Sequence, residues 1–289
     1  MIRFSMLVYL NSRLVPREKA VVSVFDHGFL YGDGIYETLR AYGGKLFLLE
    51  NHLARLKHSA DAIALTLPMP LGAIGEALNE TVKMNRLDNA YVRIQISRGP
   101  GEIGLDPSLC PEPTLVIVAK PYTGPPPEVV DRGVAVAVVN TRRNHPRALD
   151  PSIKGTNFLN NILAKSEALK ANAYEGIMLN WEGYVAEGAT SNVFIVQNGT
   201  LRTPSLDVGI LAGVTRGLVL DLAGRAGISV QESAFGPEDL AVADECLITS
   251  SIIEILPVTA VDGKPVGTGA PGPVTAALRE AYRKEVIHG

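Results

Sequence analysis

Between Lys120 and Pro127 the chain reads Lys-Pro-Tyr-Thr-Gly-Pro-Pro-Pro, with four prolines and one glycine in eight residues. Proline removes a backbone donor and fixes φ, so neither a helix interior nor a central strand can run through this stretch. Two cores are therefore expected, one on each side of it. Residues 1–120 are expected to form a small N-terminal α/β domain, 121–133 an interdomain linker, and 134–289 a larger C-terminal domain. The fold class is read as α+β, built from two α/β domains.

In the first part, residues 6–10 and 13–15 predict a hairpin around Asn11-Ser12. Gly28, Gly32 and Gly34 lie in Asp26–Arg40 without a G-x-G-x-x-G leading into a helix, so this stretch is read as a turn rather than a dinucleotide loop. From Ile35 to Leu49 the alternation broken by Gly43-Gly44 predicts a second hairpin, with Tyr36, Thr38 and Arg40 on one face. Helical spacing predicts helices over 50–65 and 71–86. The strand 90–98 puts Tyr91, Arg93 and Gln95 on one face, and a further strand covers 114–119. In the second part, strand 134–139 leads into the basic loop Thr141–Arg147, read as a solvated cluster. A helix from about Thr156 is expected to bury Phe158, Leu159, Ile162, Leu163, Ala168 and Leu169. Strands at 175–180 and 193–202, a helix from Gly213 to about Ala226, strands at 228–231 and 245–248, and a final helix over 273–286 complete the reading.

Composition narrows the function. Apolar residues make up 46% and charged ones 20%, which describes a folded globular chain. With a net charge of -3 and scattered Lys and Arg, no basic stripe marks a nucleic-acid partner. Cys110 and Cys246 are the only cysteines and lack metal-type spacing, so neither a disulfide framework nor a metal site is expected, and a reducing cytoplasm fits. The opening Met1–Leu10 carries one charge and an apolar core too short for a signal peptide. No segment is long enough to span a membrane.

Four positions carry both an ordinary and a chemical reading. Lys154 stands just before a helix and is either a solvated lysine or an amine that binds an aldehyde. Arg55 either pairs with Glu50 or Asp61 on its own helix or forks onto a phosphate. Glu187 is a salt-bridge partner or a buried functional acid. Gly213-Val214-Thr215-Arg216 opens a helix, where free backbone N-H groups can hold an anion.

Together with His52-Leu53-Ala54-Arg55-Leu56, Leu159-Asn160-Asn161, Asn192, the Ser250-Ser251 turn with Glu254, and Gly272-Pro273-Val274-Thr275, these positions resemble the class IV, or fold type IV, aminotransferases that use pyridoxal phosphate. The resemblance covers nearly the whole chain. It implies a small N-terminal domain and a larger C-terminal domain with a barrel-like sheet, the latter carrying Lys154 as the catalytic, cofactor-binding lysine. By the same resemblance Glu187 pairs with the pyridine nitrogen, Leu211 packs on the ring, and Arg55, Val214, Thr215, Ser250 and Ser251 hold the phosphate. Tyr36, Arg40, Tyr91, Arg93 and Phe158 would line the substrate pocket. Tyr91-x-Arg93 with Gly101-x-x-Gly104-Leu105-Asp106-Pro107 is similar to bacterial and archaeal branched-chain aminotransferases. Thr190-Ser191-Asn192 and Ser250-Ser251-Ile252-Ile253 look more like D-amino-acid aminotransferases, and aminodeoxychorismate lyase shares the fold and cofactor. The resemblance thus implies an amino-acid transaminase, acting on branched-chain L-amino acids with 2-oxoglutarate, in a homodimer or higher homo-oligomer.

Overall fold

The structure, a computed structural model, describes residues 6–288. Met1–Ser5, the first half of the stretch read for a signal peptide, lie outside the described residues. The chain divides into two compact units, Met1–Thr123 with Ile153–Asn157, and Gly124–Ser152 with Phe158–Gly289. The segment around Lys154, expected in the C-terminal domain, therefore clusters with the first unit. The expected linker is also largely regular, because one strand runs to Pro121 and Pro127–Arg132 form a helix.

The first unit contains β1 (Leu7–Leu10), β2 (Arg13–Pro16), α1 (His27–Tyr31), β3 (Gly34–Tyr42), β4 (Lys45–Leu46), α2 (Leu49–Ala62), α3 (Leu71–Met84), β5 (Ala90–Ser97) and β6 (Thr114–Pro121). The strands form one antiparallel sheet in the order β2-β1-β6-β5-β3-β4. Gly43 and Gly44, both at positive φ, close the β3–β4 hairpin where a side chain would be strained. The stretch read as a turn before β3 instead contains α1, which Asp26 caps and Gly32 ends in the left-handed region.

Helices α2 and α3 cover one face of this sheet. Leu53, Leu56, Ala60, Ile74 and Leu78 pack there against Ile35, Leu39, Val92, Ile94 and Ile117. Full burial of each large aliphatic side chain contributes about 1.5–3 kcal/mol. The opposite face carries Tyr36, Thr38 and Arg40 of β3 directly across from Gln95, Arg93 and Tyr91 of β5.

The second unit contains α4 (Pro127–Arg132), β7 (Val134–Val138), α5 (Leu159–Lys170), β8 (Glu175–Leu179), β9 (Val185–Gly188), β10 (Asn192–Gln197), β11 (Thr200–Thr203), α6 (Val214–Arg225), β12 (Ser229–Glu232), α7 (Pro237–Ala241), β13 (Glu245–Ser250), β14 (Glu254–Val261), β15 (Lys264–Pro265) and α8 (Pro273–His288). Its sheet has the order β12-β11-β10-β13-β14-β7-β8-β9, with β15 beside β14. The β11–β12, β14–β7 and β7–β8 pairs are parallel and the others antiparallel. The sheet curls into half a barrel.

Helix α5 overturns one expectation. It begins at Leu159, and Leu159, Ile162, Leu163 and Leu169 are 67%, 59%, 50% and 62% exposed, while Ala164 and Ala168 are buried. The reason is close approach to β8. A Cβ on Gly176 would lie 2.8 Å from the Ala164 carbonyl oxygen and 3.3 Å from the Ala168 Cβ. Only small residues fit this seam, so the large aliphatic side chains turn outward.

Candidate active site

In the first unit, Ile153–Asn157 lie along the start of β3. The Tyr36 N-H donates to the Lys154 carbonyl at 3.0 Å, the Thr156 N-H to the Gly34 carbonyl at 2.9 Å, and the Lys154 N-H to Ser59 Oγ at 3.1 Å. These bonds hold the Lys154 backbone at two points and the neighbouring Thr156 at a third. Its Nζ lies 4.5 Å from the centre of the Tyr36 ring, and the Arg93 guanidinium carbon lies 4.1 Å from the same centre. Arg93 Nη2 also donates to Gln95 Oε1 at 3.1 Å. Tyr36 thus presents its π-face to two cations. Arg40 is buried, with its guanidinium carbon 4.3 Å from the Tyr42 ring centre and 5.1 Å from that of Tyr122, and Lys120 Nζ lies 5.1 Å from the Tyr91 ring centre.

Arg55 reaches beyond its own helix to Glu37 on β3. Its Nε donates to Glu37 Oε1 at 2.6 Å and its Nη2 to Glu37 Oε2 at 2.9 Å, while Lys57 takes Asp61. His52 Nδ1 lies 2.8 Å from Glu37 Oε2. Burial by itself would raise the Glu37 carboxyl. The Arg55 charge and hydrogen bond, joined by the hydrogen bond from His52, outweigh that and hold it well below the usual carboxylate range. Burial pushes the His52 imidazole down, and the Arg55 and Lys154 charges push the same way against the opposing Glu37 contact. His52 is accordingly a neutral N-H donor to an ionised carboxylate.

In the second unit, Glu187 is buried on β9. Its Oε1 accepts from Arg143 Nε at 2.6 Å, and its Oε2 from Asn192 Nδ2 at 3.2 Å and from the Leu211 N-H at 3.1 Å. The two readings of Glu187 therefore converge on a buried acid that is also salt-bridged. Arg143, expected in a solvated basic loop, is buried against it and reaches Asn160 Oδ1 at 3.2 Å through Nη1. Asn192 Nδ2 donates a second time, to the Leu211 carbonyl at 3.0 Å.

Leu211 leads directly into α6, whose first residues are Val214 and Thr215. The N-cap Gly213 supplies no side-chain cap, so the uncapped first turn suits an anion. Helix α6 packs on β13, which ends at Ser250, and the Ser250 Oγ accepts weakly from the Ile253 N-H at 3.4 Å. Thr249 Oγ1 is buried without a hydrogen-bond partner, opposite Asn192 in the β10–β13 pair. Phe158 is the N-cap of α5. The first unit thus brings together Lys154, Tyr36, Arg93 and, across the β3–β5 pair, Arg40 and Tyr91; it also holds Arg55 on the sheet's other face, where α2 packs. The second unit gathers Glu187, Leu211, Val214 and Thr215, with Ser250 and Ser251 at the end of β13.

Glu37, His52, Ser59 and Arg143 were given no role from sequence. Glu37 left a trace, because it occupies the apolar phase of β3 between Ile35 and Leu39. Arg143 left none, since nothing local separates it from Arg142 or Arg147.

The class IV amino-transferase family model matches residues 34–261. A protein of Methanocaldococcus jannaschii, provisionally named a branched-chain-amino-acid aminotransferase, is 40% identical over 278 residues, covering 96% of each chain. A D-alanine aminotransferase of Listeria monocytogenes is 37% identical over 97% of this chain and 96% of its own. The solved branched-chain aminotransferase of the thermophilic archaeon Thermoproteus uzoniensis, crystallised with norvaline, superposes with a TM-score of 0.92 at 36% identity, covering 98% of this chain and 95% of that one. Class IV aminotransferases use pyridoxal 5′-phosphate. Each unit by itself carries groups that suit that cofactor: in the second, an uncapped helix start for a dianion and a buried acid for a ring nitrogen; in the first, a lysine amine for an aldehyde.

Proposed function

The chain belongs to the class IV aminotransferases, and we propose that it moves amino groups between branched-chain L-amino acids and 2-oxoglutarate with Lys154 as its catalytic residue. Bound pyridoxal 5′-phosphate supplies an aldehyde carbon and an electron-accepting ring. Lys154 Nζ would hold that carbon and would move the proton at the substrate Cα. Glu187 would keep the ring nitrogen protonated, and Leu211 would pack against the ring. Arg55, the Val214 and Thr215 amides, Ser250 and Ser251 take the phosphate.

The single observation that carries the substrate class is the grouping of Lys154, Tyr36 and Arg93. A guanidinium over an aromatic ring offers a fork for the distal carboxylate of 2-oxoglutarate and an apolar wall for a branched side chain. Arg40, Tyr91 and Phe158 complete the substrate contacts in this reading. The test has two parts. Borohydride reduction followed by peptide mapping should place the cofactor on Lys154. The absorbance of the bound cofactor should then shift on mixing with L-leucine and recover with 2-oxoglutarate. A shift with D-alanine but not L-leucine would reject this substrate in favour of the D-amino-acid activity named for the Listeria relative.

The working unit in this reading is a homodimer or higher homo-oligomer. Support comes from exposed apolar side chains of the first unit, Val21, Val24 and Phe25 on the loop that leads into α1, Phe29 on α1, and Ile103 and Leu105 on a second loop. The Gly101 N-H to Phe25 carbonyl bond and the Gly104 N-H to Tyr31 hydroxyl bond tie these loops together. An apolar area of this kind marks an association surface. Light scattering of the purified protein checks the subunit number. The thiols of Cys110 and Cys246 are both free, which suits a cytoplasmic setting.

A further inference from the structure

We infer that Glu37, supported by His52, is a positioning residue that aims Arg55 at the cofactor phosphate. The inference rests on the proposed role of Arg55 as a phosphate ligand. Glu37 stands on the face of β3 that packs into the core, where its neighbours of the same phase are Ile35, Leu39 and Ala41. A carboxylate there is 1% exposed, in a place where an aliphatic side chain would serve packing. Replacing a buried ion pair by well-packed apolar residues is commonly neutral or stabilising, so packing alone gives no reason for this one.

The geometry supplies a reason. Glu37 grips Arg55 along its Nε–Nη2 edge, with contacts of 2.6 and 2.9 Å. A guanidinium held side-on along that edge keeps one orientation. His52 donates to Glu37 Oε2 from one turn earlier on α2, which fixes the carboxylate in turn. Ser59, one turn after Arg55 on the same helix, accepts the Lys154 N-H at 3.1 Å. One face of α2 therefore orients Arg55 through Glu37 and the Lys154 backbone directly. An arginine free to change rotamer would lose entropy on meeting phosphate, whereas one held in advance does not.

The experiment compares binding of pyridoxal 5′-phosphate and of pyridoxal, which lacks the phosphate, to the full-length protein stripped of cofactor. Wild type, Arg55→Met, Glu37→Gln and His52→Leu are measured, with circular dichroism to establish folding. Arg55→Met should lower the preference for the phosphorylated form by about 100-fold, and Glu37→Gln by about 10-fold while pyridoxal affinity stays the same. A general structural role for Glu37 would weaken both ligands alike and overturn the inference, as would an unchanged or tighter grip on the phosphorylated form. If Glu37→Gln does not fold, His52→Leu decides: a reduced phosphate preference supports the positioning role and an unchanged one rejects it. A flat result for Arg55→Met shows instead that Arg55 is no phosphate ligand, and the inference falls with that reading. Loss in Arg55→Met beside a flat Glu37→Gln leaves the ligand role standing and removes only the positioning role.

Discussion

Arg143 Nε lies 2.6 Å from Glu187 Oε1, with the two side chains only 9% and 7% exposed. The pair joins the loop after β7 to β9, and through Asn160 it also reaches the start of α5. Removing the cation alone leaves a buried carboxylate uncompensated. Arg143→Met should therefore lower the unfolding free energy by about 3–5 kcal/mol, measured by urea denaturation. Arg143→Met combined with Glu187→Gln should recover more than half of that loss. A double variant no more stable than Arg143→Met would show that the pair is not the source.

Gly213 tests the link between Glu187 and the start of α6. A Cβ at this position would sit 1.9 Å from Asn192 Oδ1. Gly213→Ala must displace the amide that donates to both Glu187 and the Leu211 carbonyl. The expected loss is about 1–3 kcal/mol in stability, accompanied by weaker cofactor retention on dialysis. Unchanged stability and retention would mean that the close approach is relieved without moving Asn192.

Arg93 is expected to discriminate between the two substrates. Arg93→Leu should raise KM for 2-oxoglutarate by about 10- to 100-fold, the loss of a charge-assisted fork. The L-leucine half-reaction should change by less than about 3-fold, because its side chain carries no charge for Arg93 to meet. Equal losses with both substrates would remove Arg93 from the distal carboxylate.

The pH dependence of stability follows from His52 and Glu37. Burial lowers the His52 pKa below its ordinary 6.5, so the unfolded chain takes up a proton first as the pH falls. Stability should decline from about pH 6.5 downward until the folded value is passed. Glu37 is also held low, so its contribution is fully present above the ordinary 4.5 and is lost as the pH falls further, through its folded value. Denaturation of wild type and His52→Asn between pH 8 and pH 4 isolates the first effect. The wild type should lose more stability than the variant between pH 6.5 and pH 5, and parallel curves would exclude His52 as the source.

What the sequence determined by itself was local. The Gly43-Gly44 turn, the span of α2 and the polar face of Tyr36, Arg40, Tyr91 and Arg93 depend on residues a few positions apart, whose side chains and φ preferences act within one element. The residues of the family motifs were legible too, and the family match over 34–261 accords with them. The tertiary structure decided their partners. Arg55 meets Glu37 eighteen positions earlier and Arg143 meets Glu187 forty-four positions later, at distances set by helix-on-sheet packing and by the course of the β7–α5 loop. Helix α5 shows the same division. Its periodicity marks an apolar side, but the seam with Gly176 admits only alanine, so steric approach across the sheet outweighs side-chain hydrophobicity in choosing which face is buried.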